Sequence, residues 1–287
     1  MTKPDLKHKP SWLKVRACGD KKYLEVLSLI KDNHLHTVCQ EANCPNRGEC
    51  FSSGTATFMI LGRHCTRNCR FCNVAHGKAD PVDVDEPVHV ARAVAILGLK
   101  HAVITSVTRD DLPDGGAGQF AAVIRAIRQA SPATTVEVLT PDFRGDHDSL
   151  RLVFEARPDV FNHNLETVPR LYRQVRPGAD YRRSLEVLRA GAAFGIEAVK
   201  SGLMVGLGEL VDELDDVFGD LAAHGVGYLT IGQYLTPSAA HHPIEKYYTP
   251  EEFTDLARRA RAAGLKSVFS GPLVRSSYHA GEQFRPQ

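Results

Sequence analysis

From Thr57 to Ala263 the chain alternates short runs rich in β-branched and aromatic residues with longer stretches at helical spacing. Thr57–Leu61, His101–Val107, Thr134–Leu139, Asp159–Asn164, Ala198–Val205 and Tyr228–Ile231 read as six strands. Short apolar runs bounded by turn residues suit strands buried on both faces. Helical spacing holds over Pro87–Leu97, Ala117–Gln129, Asp148–Glu155, Val168–Gln174, Tyr181–Ala192, Glu213–His224 and Pro250–Ala263. Thr249 stands where an N-cap hydroxyl can accept from a free N–H of the last of these helices. Six β/α units in succession predict a parallel sheet with helices outside it. Six rather than eight predict an α/β fold, a partial (β/α)6 TIM-type barrel open on one side, with its chemistry at the C-terminal ends of the strands. The residues before the first strand read as an N-terminal extension packed across the barrel.

Composition narrows the picture little. An apolar content of 43% in 287 residues supports a substantial core without cross-links. A formal charge of +1 gives no case for nucleic acid or membrane as partner. Lys3, Lys7, His8, Lys9, Lys14 and Arg16 make the N-terminal arm basic, and a solvated tail accounts for that. Met1–Ala17 has no apolar signal region, and runs such as Ala93–Leu99 are too short to span a bilayer. The expectation is a cytoplasmic protein with reduced thiols, where clustered cysteines mean metal binding or catalysis.

All but one of the seven cysteines fall in two triplets, Cys39-x4-Cys44-x5-Cys50 and Cys65-x3-Cys69-x2-Cys72. Cys18 stands apart as a bystander. The second triplet, in GRHCTRNCRFCNV, lies on the loop leaving the first strand. Three thiolates suit an iron–sulfur cluster with one iron left for another ligand. Structural zinc usually takes four protein ligands, often as two separated pairs; His64 and His76 keep a zinc site open as an alternative. Read as residues alone, GLMVGLGE (Gly202–Glu209) is a strand-to-helix turn, and the polar residues of FNHNLET (Phe161–Thr167) are helix caps.

The C-x3-C-x2-C spacing, with Phe71 before the last cysteine, resembles the radical S-adenosylmethionine enzymes. The resemblance implies a [4Fe–4S] cluster on Cys65, Cys69 and Cys72, whose open iron is chelated by the methionyl amino and carboxylate groups. Reductive cleavage then releases a 5′-deoxyadenosyl radical. It also implies cofactor contacts: Thr105 and Ser106 near the methionyl amino group, and Arg176 at the carboxylate. Asn164 and Glu166 would meet the ribose hydroxyls, with Gly202, Gly206 and Glu209 bordering the adenine.

From Trp12 to Ala280 the chain is further similar to the lipoyl synthase family, through CQEANCPNRGEC, TSVTRDDLPDGGAGQF, EVLTPDFRG, FNHNLETVPRLYRQVRPGADY, KSGLMVGLGE, TIGQYLTPS and GPLVRSSYHA. This resemblance implies a second, auxiliary [4Fe–4S] cluster on Cys39, Cys44 and Cys50, with Ser277 on its fourth iron. An alkoxide is a harder ligand than thiolate and suits a cluster that must open; Arg275 would help hold it. The implied reaction inserts two sulfur atoms from that cluster at C6 and C8 of an octanoyl-lysine, consuming two molecules of S-adenosylmethionine. The implied partners are octanoylated lipoyl carrier domains (2-oxoacid dehydrogenase E2 subunits and the glycine cleavage H protein), a ferredoxin or flavodoxin as electron donor, and an iron–sulfur carrier protein. Trp12 and the basic arm would contact the carrier domain or cover the auxiliary cluster. The expected division is 1–52 for the extension, 53–270 for the barrel and 271–287 for the segment with the serine ligand. Two alternatives remain: another auxiliary-cluster radical sulfurtransferase, or a non-catalytic zinc-binding interaction module.

Overall fold

The computed structural model describes residues 8–15 and 19–284; Lys3, Lys7, Arg16 and Cys18 of the sequence reading lie outside them. Eight strands form one sheet in chain order. They are β1 (His36–Thr37), β2 (Thr57–Ile60), β3 (His101–Ser106), β4 (Thr135–Leu139), β5 (Val160–Asn162), β6 (Ala198–Val205), β7 (Tyr228–Gln233) and β8 (Ser267–Gly271). β1 runs antiparallel to β2, and every later neighbour is parallel. The sheet begins at β1 and ends at β8, so the barrel is incomplete.

The parallel run is thus longer by one strand than the six units predict. β8 escaped the pattern because its sequence, SVFSG, pairs on one side only and buries little beyond Val268. β1 escaped because two residues carry no period. The six central strands fall within two residues of their expected bounds, since strands covered on both faces are largely apolar, and all four residues of β2 are buried. The helix Pro250–Ala262 starts at a capping box, Thr249 accepting from the Glu252 N–H and Glu252 from the Thr249 N–H.

The extension is not a separate body. Its helix Lys21–Asp32, capped by Asp20, sends Val26 and Ile30 into the same core as Phe58, Ile60 and Ile104. Tyr23 stacks on Phe51 at 5.5 Å. After β8 the chain turns at Gly271 and runs past β7, where any Cβ on Gly232 would collide with the Val274 carbonyl. It then forms the helix Ala280–Phe284, which packs near His101, Val160 and Tyr228, the first residues of β3, β5 and β7. The C-terminal segment therefore covers the N-terminal mouth of the barrel. No helix among the described residues is long and apolar enough to cross a membrane.

Candidate metal centre

The second triplet hangs on a loop fixed at every turn. β2 exits through Leu61 and Gly62, both at positive φ, and the Leu61 N–H is taken by the Glu86 carboxylate at 3.1 Å. Cys65 closes the loop on itself through Ala75 and Gly77. Thr66 bonds Thr108, and Arg70 bonds Val175. Arg67 is the anchor: its guanidinium bridges Asp110 (2.6 and 2.9 Å) and Asp142 (2.7 Å) at the ends of neighbouring strands. Asp142 also accepts from Arg183 at 2.8 Å. Burial opposes the Asp142 charge, but Arg67 outweighs it and holds the carboxyl below its usual range. Neither Arg67 nor Asp142 stood out in the sequence, because nothing in a run of residues shows that two loops will meet.

The first triplet is carried by two short helices, with Cys39 in Val38–Glu41 and Cys50 in Arg47–Ser52, and Cys44 in the turn between them. This turn is tied to the C-terminal segment. Asn46 donates to the Leu273 carbonyl at 2.7 Å, and the Tyr278 hydroxyl donates to Glu49 at 2.9 Å. All six cysteines are free thiols. Burial pushes Cys39 up to about 11 and Cys50 and Cys72 up to about 12, neighbouring cysteines adding to the effect.

Both triplets open onto one cavity of about 680 Å³ inside the barrel, and Ser277 lies on the same wall. Thr105, Ser106, Asn164, Glu166, Arg176 and Gly202 also line it. Gly206 and Glu209 do not; the Glu209 carboxylate takes the N–H groups of Gly206 (2.6 Å) and Leu207 (2.9 Å) and locks the turn after β6. Asn164 donates to Glu166 at 3.0 Å, and one Arg176 nitrogen donates to the Asn164 and Leu165 carbonyls at 2.9 Å. Burial raises the Glu166 pKa, with Arg176 and Asn164 acting against it. Thr105 spends its hydroxyl on the Leu139 carbonyl at 3.0 Å.

The wall holds polar atoms with no partner in the protein: Ser106 Oγ, Thr140 Oγ1, His163 Nε2, Asn164 Oδ1 and Arg176 Nε. Buried polar atoms are normally bonded, so this wall fits a polar cofactor. His163, which the sequence reading passed over, places Nδ1 2.8 Å from the Thr140 carbonyl. Only an N–H can meet that oxygen, so Nε2 is the unprotonated nitrogen, a buried acceptor without a partner. Burial lowers its pKa to about 4. The thiol sets also fit. Among the described residues no three His, Cys, Asp or Glu side chains gather as around a single ion, whereas cluster thiolates sit one to an iron.

A partial β/α barrel with a C-x3-C-x2-C loop at the end of its first parallel strand is the frame of a radical S-adenosylmethionine enzyme. Residues 59–221 match the Radical SAM superfamily, and the chain belongs to it, which brings a [4Fe–4S] cluster and S-adenosylmethionine as cofactors. Within that superfamily it belongs to the lipoyl synthase family. It is 56% identical to the lipoyl synthase of Nitrosomonas eutropha over 97% of this chain and 89% of that protein. It is 56% identical to that of Rubrobacter xylanophilus over 96% of this chain and 86% of that protein. Its fold resembles methylornithine synthase (PylB), with a TM-score of 0.56 and 12% identity over 89% of this chain and 76% of that one. It also resembles the FeFe-hydrogenase maturase HydG from Carboxydothermus hydrogenoformans, at 0.60 and 16% over 79% and 55%. The family membership removes both alternatives that the residues alone left open.

Proposed function

We propose that this chain replaces one hydrogen at C6 and one at C8 of an octanoyl group, amide-linked to a lysine of a lipoyl carrier domain, with sulfur. The observation that carries this reading is the single cavity onto which both cysteine triplets and Ser277 open. When bound, the cluster at Cys65, Cys69 and Cys72 with S-adenosylmethionine supplies one-electron chemistry able to break unactivated C–H bonds, and the auxiliary cluster at Cys39, Cys44, Cys50 and Ser277 is the sulfur donor.

The protein binds, orients and shields. Asn164 and Glu166 hold the ribose hydroxyls, and the unpaired Asn164 Oδ1 is free to accept one of them. Thr105 and Ser106 stand at the methionyl amino group and Arg176 at the carboxylate. Gly202 keeps the adenine side open, since a Cβ there would press on Asn164 Oδ1 at 2.7 Å and Thr230 Oγ1 at 2.9 Å; Gly206 and Glu209 shape the turn that ends this wall. Met59, Leu139, Leu203, Met204 and Leu235 also line the cavity, an apolar bed for an eight-carbon chain that keeps water from a reactive intermediate. Lys9 and Val15 of the N-terminal arm reach the same cavity, and Trp12 anchors the arm by donating to the Tyr248 carbonyl at 3.2 Å. This placement supports a role for the arm at the carrier domain; the proposed division into 1–52, 53–270 and 271–287 marks segments by the cluster ligands they carry, while the first shares the barrel core and β8 runs across the last boundary. E2 subunits and the glycine cleavage H protein are the carrier domains this substrate implies. A ferredoxin or flavodoxin supplies electrons, and an iron–sulfur carrier renews the spent cluster.

Two variants separate the roles. Cys69→Ala abolishes 5′-deoxyadenosine formation. Cys44→Ala spares it yet yields no thiolated product. Mass spectrometry of an octanoyl-lysine peptide after anaerobic turnover should show two hydrogens replaced by two sulfurs, through a singly thiolated intermediate. Normal product from Cys44→Ala would overturn the auxiliary-cluster role.

A further inference from the structure

Lys200 lies inside the barrel on β6, with its side chain only 2% exposed. Its ammonium donates to the Glu137 carboxylate of β4 at 2.9 Å. Asn162 of β5 donates to the same oxygen at 3.0 Å, and His101 of β3 stands 3.2 Å from the other. A buried ion pair seldom stabilises a fold more than apolar residues of equal volume would, so this one calls for another task. The ammonium has a second acceptor: the main-chain carbonyl of Ser276, at 2.7 Å. That carbonyl belongs to the peptide unit that leads into Ser277. The surrounding bonds hold this turn at its margins, Asn46 on Leu273 and Glu49 on Tyr278. Asn164 reaches the Ser276 hydroxyl at a long 3.4 Å. Lys200 grips the serine pair from the barrel floor, beside Ala280 and Gln283 of the C-terminal helix.

We propose that Lys200 is a positioning residue for sulfur insertion: with its charge balanced by Glu137, it holds the Ser276–Ser277 peptide so that the Ser277 hydroxyl faces the first triplet. The inference rests on Ser277 being the fourth ligand of the auxiliary cluster. A long side chain from the sheet does what the segment cannot do alone, since residues 272–279 make no strand and no helix of their own. Removing Lys200 by itself would strand the Glu137 carboxylate, so the variant of choice is the neutral pair Lys200→Met/Glu137→Gln.

The test uses the full chain with Cys65, Cys69 and Cys72 changed to alanine, reconstituted so that the first triplet alone carries a cluster. Mössbauer spectra are compared for Ser277 and Ser277→Cys, each with and without the neutral pair. With Lys200 present, Ser277→Cys should shift the signal of one iron towards the thiolate-bound irons. With the neutral pair that shift should be lost. A shift that persists undiminished in the neutral pair overturns the role of Lys200 and leaves Ser277 as ligand. No shift in the Lys200 parent overturns the ligand assignment itself. If the neutral pair does not fold, Lys200→Gln/Glu137→Gln serves in its place, with the same readings.

Discussion

At Glu166 the backbone takes φ of 68°, a left-handed conformation that costs a non-glycine residue on the order of 1 kcal/mol. Two bonds to β6 hold it there, its N–H on the Gly202 carbonyl and its carbonyl on the Met204 N–H, both at 2.9 Å. The geometry lays the carboxylate against Asn164 on the cavity wall. Glu166→Gln keeps the shape but would weaken the proposed charge-assisted bond to a ribose hydroxyl, worth on the order of 1.5 kcal/mol. Binding of S-adenosylmethionine should fall about tenfold, read by equilibrium dialysis of the reconstituted protein, with the unfolding midpoint unchanged. Unchanged affinity would place the ribose elsewhere.

At the scale of elements, the loops at the C-terminal ends of the strands are held by ion pairs as well as by buried apolar residues such as Val107 and Phe143. Asp142 joins the loop after β4 to Arg67 of the cysteine loop and to Arg183. Its pKa lies below the ordinary 3.8 in the folded chain. The stabilisation is therefore complete above the unfolded value and fades as pH falls through the folded one. Asp142→Asn should cost on the order of 2–3 kcal/mol at pH 7. The gap between the two proteins should close on acidification below about 4, measured by urea unfolding across a pH series. A gap that stays constant down to acid would mean the carboxylate charge is not what holds the loop. Gly232 sets a different limit, because the C-terminal segment crosses β7 there. Gly232→Ala should destabilise by about 1–3 kcal/mol and reduce iron bound at the first triplet, counted after reconstitution, while sparing the second.

For the whole molecule, the C-terminal segment has two duties, bringing Ser277 to the cavity and covering the N-terminal mouth of the barrel. Ending the chain after Val274 should uncouple the reaction: S-adenosylmethionine is still cleaved, but no thiolated product forms. Sulfur insertion by the shortened chain would show that the segment is dispensable. The extension belongs to the same whole, since Val26, Ile30 and Phe51 share the barrel core. The two triplets are thus carried on one continuous core around one cavity.

The sequence by itself determined the parallel β/α architecture, because strands buried on both faces must be apolar and helices with one buried face must repeat at their own period. It also determined the two thiol sets, because their cysteines lie close together in the chain. Only the tertiary structure decided that β8 extends the sheet, that both triplets face one cavity, and that Gly206 and Glu209 build a turn outside it. Arg67 on Asp142 and Lys200 on Ser276 belong to the same class. Such pairs join residues far apart in the chain, and their bond lengths depend on how the strands are staggered, which no local pattern records.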